Sequence, residues 1–176
     1  MAVNWQTFDA AVLSWLQTAT SFKASHVILA YQNAVRPGLP YVEANTRFSI
    51  TDEGMRDEEQ PDDSIAGQLD TVTRSDVTVS CRFLGPGAMA AAASAKTFLQ
   101  HQDIRDTFAA AATTVLNRGN VSNITSMLET TWQEEASLDV ILSVTGLSSQ
   151  TPGWIQDIGI TGSVGTTDDY TDIIGT

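Results

Sequence analysis

Thr131-Trp132-Gln133-Glu134-Glu135-Ala136-Ser137-Leu138-Asp139-Val140-Ile141-Leu142-Ser143-Val144-Thr145 alternates almost without a break. Successive side chains of a strand point to opposite faces, so residues two apart share a face. Trp132, Ala136, Leu138, Val140, Leu142 and Val144 fall on one side, and Gln133, Glu135, Ser137, Asp139, Ser143 and Thr145 on the other. The stretch reads as one long strand, buried on one side and wet on the other. It spans about 50 Å at about 3.4 Å per residue, far beyond a usual strand of about 5–6 residues. Such a strand is curved, bulged, or reaches past its own domain, which suits a building block better than a compact enzyme. Glu134 falls on the apolar side and Ile141 on the polar side. A carboxylate there calls for a bulge or for a basic partner, within the chain or on a neighbouring subunit. Ile141 calls for cover by another subunit. Trp132, Glu134 and Ile141 are therefore candidate subunit-interface residues.

Working outward, Tyr41–Ile50 alternates in the same way, with Val42, Ala44, Phe48 and Ile50 on its apolar face. Residues 68–84 form a second very long extended run, whose apolar face is Val77, Val79, Cys81 and Phe83. His26–Tyr31 reads as a short apolar strand that suits the middle of a sheet. Residues 4–18 carry Trp5, Phe8, Val12, Trp15 and Leu16 at helical spacing. Gly85-Pro86-Gly87 turns the second long strand into an alanine-rich helix over 88–100, and Asp103 is placed to cap another. A short strand at 114–116, a turn at Asn117–Asn120 and a last strand at Trp154–Val164 complete the pattern. The order predicts an α+β fold: a mostly antiparallel twisted sheet with long strands and helices packed on one face. Residues 1–164 form one domain, and 165–176 a polar, acidic C-terminal tail. The polar sheet face, lined by Glu43, Arg47, Arg74, Asp76, Glu135 and Asp139 among others, has no element left to cover it.

The chain of 176 residues has a net charge of −12, which argues against a conventional nucleic-acid binder. Half of that excess lies in the expected mobile loop 51–67, where Asp52, Glu53, Asp57, Glu58, Glu59, Asp62 and Asp63 face only Arg56. These acids are a candidate partner-binding loop. One cysteine, Cys81, excludes an internal disulfide and fits a reducing compartment. No apolar run approaches the roughly 20 residues that span a bilayer, and no signal-peptide pattern opens the chain, so no membrane role is expected. His26 and His101 have no ligand-spaced neighbours, and no phosphate loop, nucleophile elbow or dinucleotide fingerprint is present. No catalytic residue, metal site or cofactor is expected.

Several motifs together resemble the neck or tail-terminator proteins of tailed bacteriophages. They are Arg36-Pro37-Gly38-Leu39-Pro40-Tyr41, the strand ending in Gly85-Pro86-Gly87-Ala88, Leu128 to Leu138 around Trp132-Gln133-Glu134-Glu135, and Gly153-Trp154-Ile155. Their order and spacing follow the family over roughly residues 30 to 165. The chain departs at Glu135, where the family often carries an arginine. The resemblance implies a structural virion protein of the neck, assembled in the host cytoplasm. It implies a homo-oligomeric ring, usually a hexamer, that caps the tail tube protein and joins head-completion or adaptor proteins. Genomic DNA would pass through the lumen without specific binding. The alternatives are another tail component, such as a tail-completion or baseplate protein, and a small soluble enzyme or ligand-binding module.

Overall fold

Leu69–Leu84 and Glu135–Gln150 are strands of 16 residues each, paired antiparallel without a register shift from Leu69↔Gln150 to Leu84↔Glu135. The computed structural model describes residues 3–30, 35–52, 58–61, 69–128 and 131–150. In chain order the elements are α1 (Trp5–Thr20), a 3-10 turn (Ala24–His26), β1 (Val27–Leu29), β2 (Tyr41–Asp52), β3 (Glu58–Pro61) and β4 (Leu69–Leu84). There follow α2 (Ala88–Phe98), α3 (Gln102–Ala110), β5 (Thr113–Asn117), β6 (Val121–Asn123), β7 (Ser126–Leu128), β8 (Thr131–Gln133) and β9 (Glu135–Gln150). The main sheet runs β1-β2-β4-β9-β5, with β3 added to β4 and β6 to β9; β7 and β8 form a separate hairpin. Among these pairs only β1–β2 is parallel, so the fold is the expected α+β, with long strands in a mostly antiparallel sheet.

Side-chain alternation decides which face holds the core. Val77, Val79, Cys81 and Phe83 of β4 lie opposite Leu142, Val140, Leu138 and Ala136 of β9, and all are buried. Val42 and Ala44 of β2 continue that face. Onto it α1 lays Phe8, Val12, Trp15 and Leu16, α2 lays Ala88, Ala92 and Ala95, and α3 lays Ile104 and Phe108. The alanines of α2 permit close approach. Trp15 Nε1 donates to the Ala95 carbonyl at 3.0 Å, and Ser94 Oγ donates to the Ala19 carbonyl at 2.6 Å. These bonds pair polar groups that burial would otherwise strand. The opposite face, carrying Asp76, Thr78, Ser80, Arg82, Ser137, Asp139 and Ile141, is covered by no helix among the described residues.

The structure corrects several boundaries. The stretch Thr131–Thr145 is not one strand: it breaks at Glu134, with β8 in the hairpin and β9 in the main sheet. Trp132 consequently leaves the apolar face and is 71% exposed. Within β2 the register shifts between Asn45 and Ser49. Thr46 is buried there, while Phe48 and Ile50, expected on the core face, are 62% and 45% exposed. The strand near His26 is only Val27–Leu29, at the sheet edge rather than its middle. His26 itself lies in the 3-10 turn, its Nδ1–H donating to the Pro40 carbonyl at 2.7 Å. Asp103 lies in the first turn of α3, whose N-cap is His101. Of the segment read as the acidic loop, Glu58–Pro61 pairs with Leu69–Val72. Residues 53–57 and 62–67, the strand expected at Trp154–Val164 and the tail 165–176 lie outside the described residues.

Cys81 sits at 0% exposure in the centre of this core. Burial pushes its thiol far above the ordinary value of about 9, and the Asp139 charge adds to the shift. The unfolded thiol ionises above that pH while the folded one does not. Its contribution to stability is thus complete below about pH 9 and declines above it. Above about pH 9 the wild type should lose stability relative to Cys81→Ala, on the order of 1 kcal/mol per pH unit. Denaturant unfolding of both proteins measures this; parallel pH profiles would contradict it.

Candidate assembly surfaces

At the end of β4 the chain turns through Gly85 and Gly87, with φ of 100° and 80°, into α2. That φ range favours glycine. Gly85 is also closely packed, because a Cβ there would lie 3.0 Å from Leu39 Cβ and Pro40 Cα. Helix α2 begins with no side-chain cap from Gly87 and no acid in its first turn. Glu134 supplies both. Its carbonyl accepts from Gly85 N at 2.9 Å, and its Oε2 accepts from Gly87 N at 2.7 Å. A carboxylate at a helix N-terminus meets unpaired N–H groups and the positive end of the helix dipole. The partner of Glu134 is therefore backbone rather than the basic residue expected.

Glu135, the next residue, departs from the expected wet face: it is 6% exposed. Arg82 Nε donates to Glu135 Oε1 at 2.6 Å, and Arg82 Nη2 donates to the same oxygen. Arg82 is paired in register with Ser137, so this is a diagonal contact across β4 and β9. The backbone of Glu135 is held as well. Ile124 N donates to its carbonyl at 2.9 Å, and its own N–H donates to Thr125 Oγ1 at 3.3 Å. Consecutive acids thus fasten the root of the β7–β8 hairpin, one to the helix and one to the sheet. On that hairpin Met127 pairs with Trp132, and the two are 57% and 71% exposed. Large apolar side chains grouped in the open mark interaction sites more often than isolated ones do.

The chain matches the family described as phage neck terminator protein over residues 6–169. It belongs to that family. No curated protein matches the chain. The protein is thus a structural component of the phage neck or tail, and membership implies contact with other tail and head proteins.

The polar sheet face carries most of the residues expected there. Glu43 lies in register with Arg82 and within 4.0 Å of Arg36 Nη2. Arg74, Asp76 and Asp139 pair with Thr145, Ser143 and Ser80 on that face. Ile141 also lies on it, half-buried opposite Thr78. Arg47 does not: within the β2 register shift its Nη2 donates to Asp9 Oδ2 of α1 at 3.0 Å, and its guanidinium lies 4.8 Å from the Trp5 ring centroid. Of the acidic loop, Asp52 ends β2 and Glu58 and Glu59 lie in β3, whereas Glu53, Asp57, Asp62 and Asp63 lie outside the described residues. Among the described residues no group of three or more His, Cys, Asp or Glu is placed to hold a metal, and no helix is long and apolar enough to cross a membrane.

Sequence reasoning did not single out Arg82 or Gly87 as partners. A signal for Gly87 existed: an alanine helix opening on Gly-Pro-Gly lacks a local cap and needs one from elsewhere. Glu134→Ala should cost about 1 kcal/mol and Glu134→Gln less, since an amide oxygen still accepts. Arg82→Ala should cost about 2 kcal/mol, because it leaves the Glu135 carboxylate buried without its cation. Chemical denaturation of the three variants tests both bonds; a larger loss for Glu134→Ala than for Arg82→Ala would reverse the ranking.

Proposed function

We propose that the protein forms a ring, usually of six copies, that caps the tail tube and joins it to head-completion proteins. Its lumen passes the genome, its role involves no catalysis, and assembly takes place in the host cytoplasm. The observation that carries this reading is a polar sheet face that no helix covers among the described residues, in a member of a neck family. That face carries Ser and Thr with Glu43, Asp76, Glu135 and Asp139 against Arg74 and Arg82, an acidic balance, and β5 and β6 pair only with β9 among the described residues. A hydroxyl-rich, acidic face solvates well and holds no phosphate tightly, which suits a passage through which DNA slides. The Met127–Trp132 hairpin is of the apolar type that anchors a neighbouring subunit. Ile141 is the one large apolar residue among the mid-face positions of β9, and the proposal has a neighbour cover it.

Native mass spectrometry, alone and with tail tubes, tests the oligomer. A hexamer supports the reading; a monomer that stays single on tubes opposes it. Electron microscopy of phage made without the chain tests the role. Overlong tails or tails unable to join heads are expected, whereas absence of tails indicates an earlier step. Trp132→Ala should leave monomer stability within about 0.5 kcal/mol, because an exposed side chain carries little of it. It should weaken ring association by about tenfold or more.

A further inference from the structure

Two arginines meet in one cleft on the β5 side of the sheet. The cleft, about 420 Å³, is lined by Leu99, Gln100, Arg105, Val115, Leu116 and Arg118. Among the described residues neither Arg105 nor Arg118 makes a side-chain hydrogen bond or ion pair, unlike Arg36, Arg47 and Arg82. Asp106, one residue on from Arg105, accepts from Gln102 Nε2 at 2.7 Å instead. Leu116, 53% exposed, adds an apolar lip. In a chain with 9 Lys and Arg against 21 Asp and Glu, two unengaged cations facing one hollow form a local exception to the acidic surface. The ligand they fit is a flexible acidic peptide carrying some apolar contact.

We propose that this cleft receives the acidic strand β3, with Glu58 and Glu59, of the next copy in the ring, so that adjacent subunits are joined by opposite charge. The proposal rests on the ring reading above and adds its contact. Glu58–Pro61 is paired to β4, while β5 lies beyond β9 on the other side of the ladder. Glu59 is opposite Thr71, which pairs with Ser148, and Asn117 beside the cleft pairs with Ile141. The two sites are thus separated by about 14 Å across the strands and about 24 Å along them. An arginine side chain does not bridge that distance, and β3 is held to its own sheet, so Glu58 and Glu59 cannot enter their own chain's cleft. A donor on one edge and an acceptor on the opposite edge define a head-to-tail contact, the kind that closes into a ring. Charge pairs at the rim of such a contact also set partner register and speed association at low salt.

The test uses the full chain. Arg105→Glu with Arg118→Glu should weaken ring formation by about tenfold or more, read by native mass spectrometry beside circular dichroism to verify folding. Adding Glu58→Lys and Glu59→Lys to that variant should restore the ring. Arg118→Cys and Glu59→Cys, made in separate chains and mixed under oxidation, should give a dimer on a non-reducing gel; buried Cys81 does not compete. This arm holds the proposal to account even if the reversed-charge variants fail to fold. Undiminished rings from the Arg105→Glu, Arg118→Glu variant, or no cross-link in wild-type-like rings, overturn the contact while the ring reading stands. Intact rings that no longer join heads or tubes assign the cleft to another phage protein and also overturn it. A wild-type chain that never oligomerises overturns the ring reading and this contact with it.

Discussion

Sixteen consecutive residue pairs between β4 and β9 constrain everything else in the molecule. A ladder that long fixes side-chain alternation for both strands at once, because a one-residue slip would move every core residue to the solvent face. Val77 to Phe83 and Ala136 to Val144 then present one apolar surface, and the three helices have only that surface to bury against. Past Ser75 and Val144, which are 8% and 1% exposed, Arg74, Thr73, Thr145 and Leu147 are exposed. Leu69–Arg74 and Thr145–Gln150 continue the ladder beyond that point, with β3 alongside. The length that marked the sequence as unusual therefore belongs partly to the core and partly to an extension beyond it.

At the other end, the same ladder meets a compact set of polar bonds. Glu134 ties the start of α2 to the start of β9, and Glu135 ties β9 to Arg82 of β4. The hairpin between β6 and β9 is held at its root, so its exposed Trp132 and Met127 stand on a fixed base. Preorganised apolar contacts lose less entropy on association than mobile ones. The bonds that stabilise the subunit thus also hold this exposed apolar pair in place.

Much of this was legible in the sequence. The extended run at 68–84 and the alternation over 131–145 pointed to both long strands, and helical spacing of Phe8, Val12, Trp15 and Leu16 pointed to α1 and its buried face. Alternation is a local signal, and it failed where a nonlocal event redirects the chain. Glu134 has the right parity to continue a strand, yet its bonds to Gly85 and Gly87 break the strand there and swing Trp132 outward. The β2 register shift likewise turns Arg47 to Asp9 and Trp5 and leaves Phe48 exposed, although Phe48 alternates correctly with Val42 and Ala44. Glu135 reads as a surface acid because nothing near it in sequence reveals Arg82, which lies 53 residues away. The family was legible through motifs in their order, while the arginine cleft, assembled from α3 and the turn after β5, was not.

One face of the β4–β9 ladder builds the subunit, and in the proposed ring the other face, with the hairpin, meets the assembled neck. A cryo-EM reconstruction of the neck with this chain in place tests it most directly. Asp76 and Asp139 should turn toward the channel or a neighbouring copy, with Trp132 and Ile141 covered by protein. A ring whose polar sheet face looks outward into bulk solvent, with Trp132 and Ile141 uncovered, would contradict it.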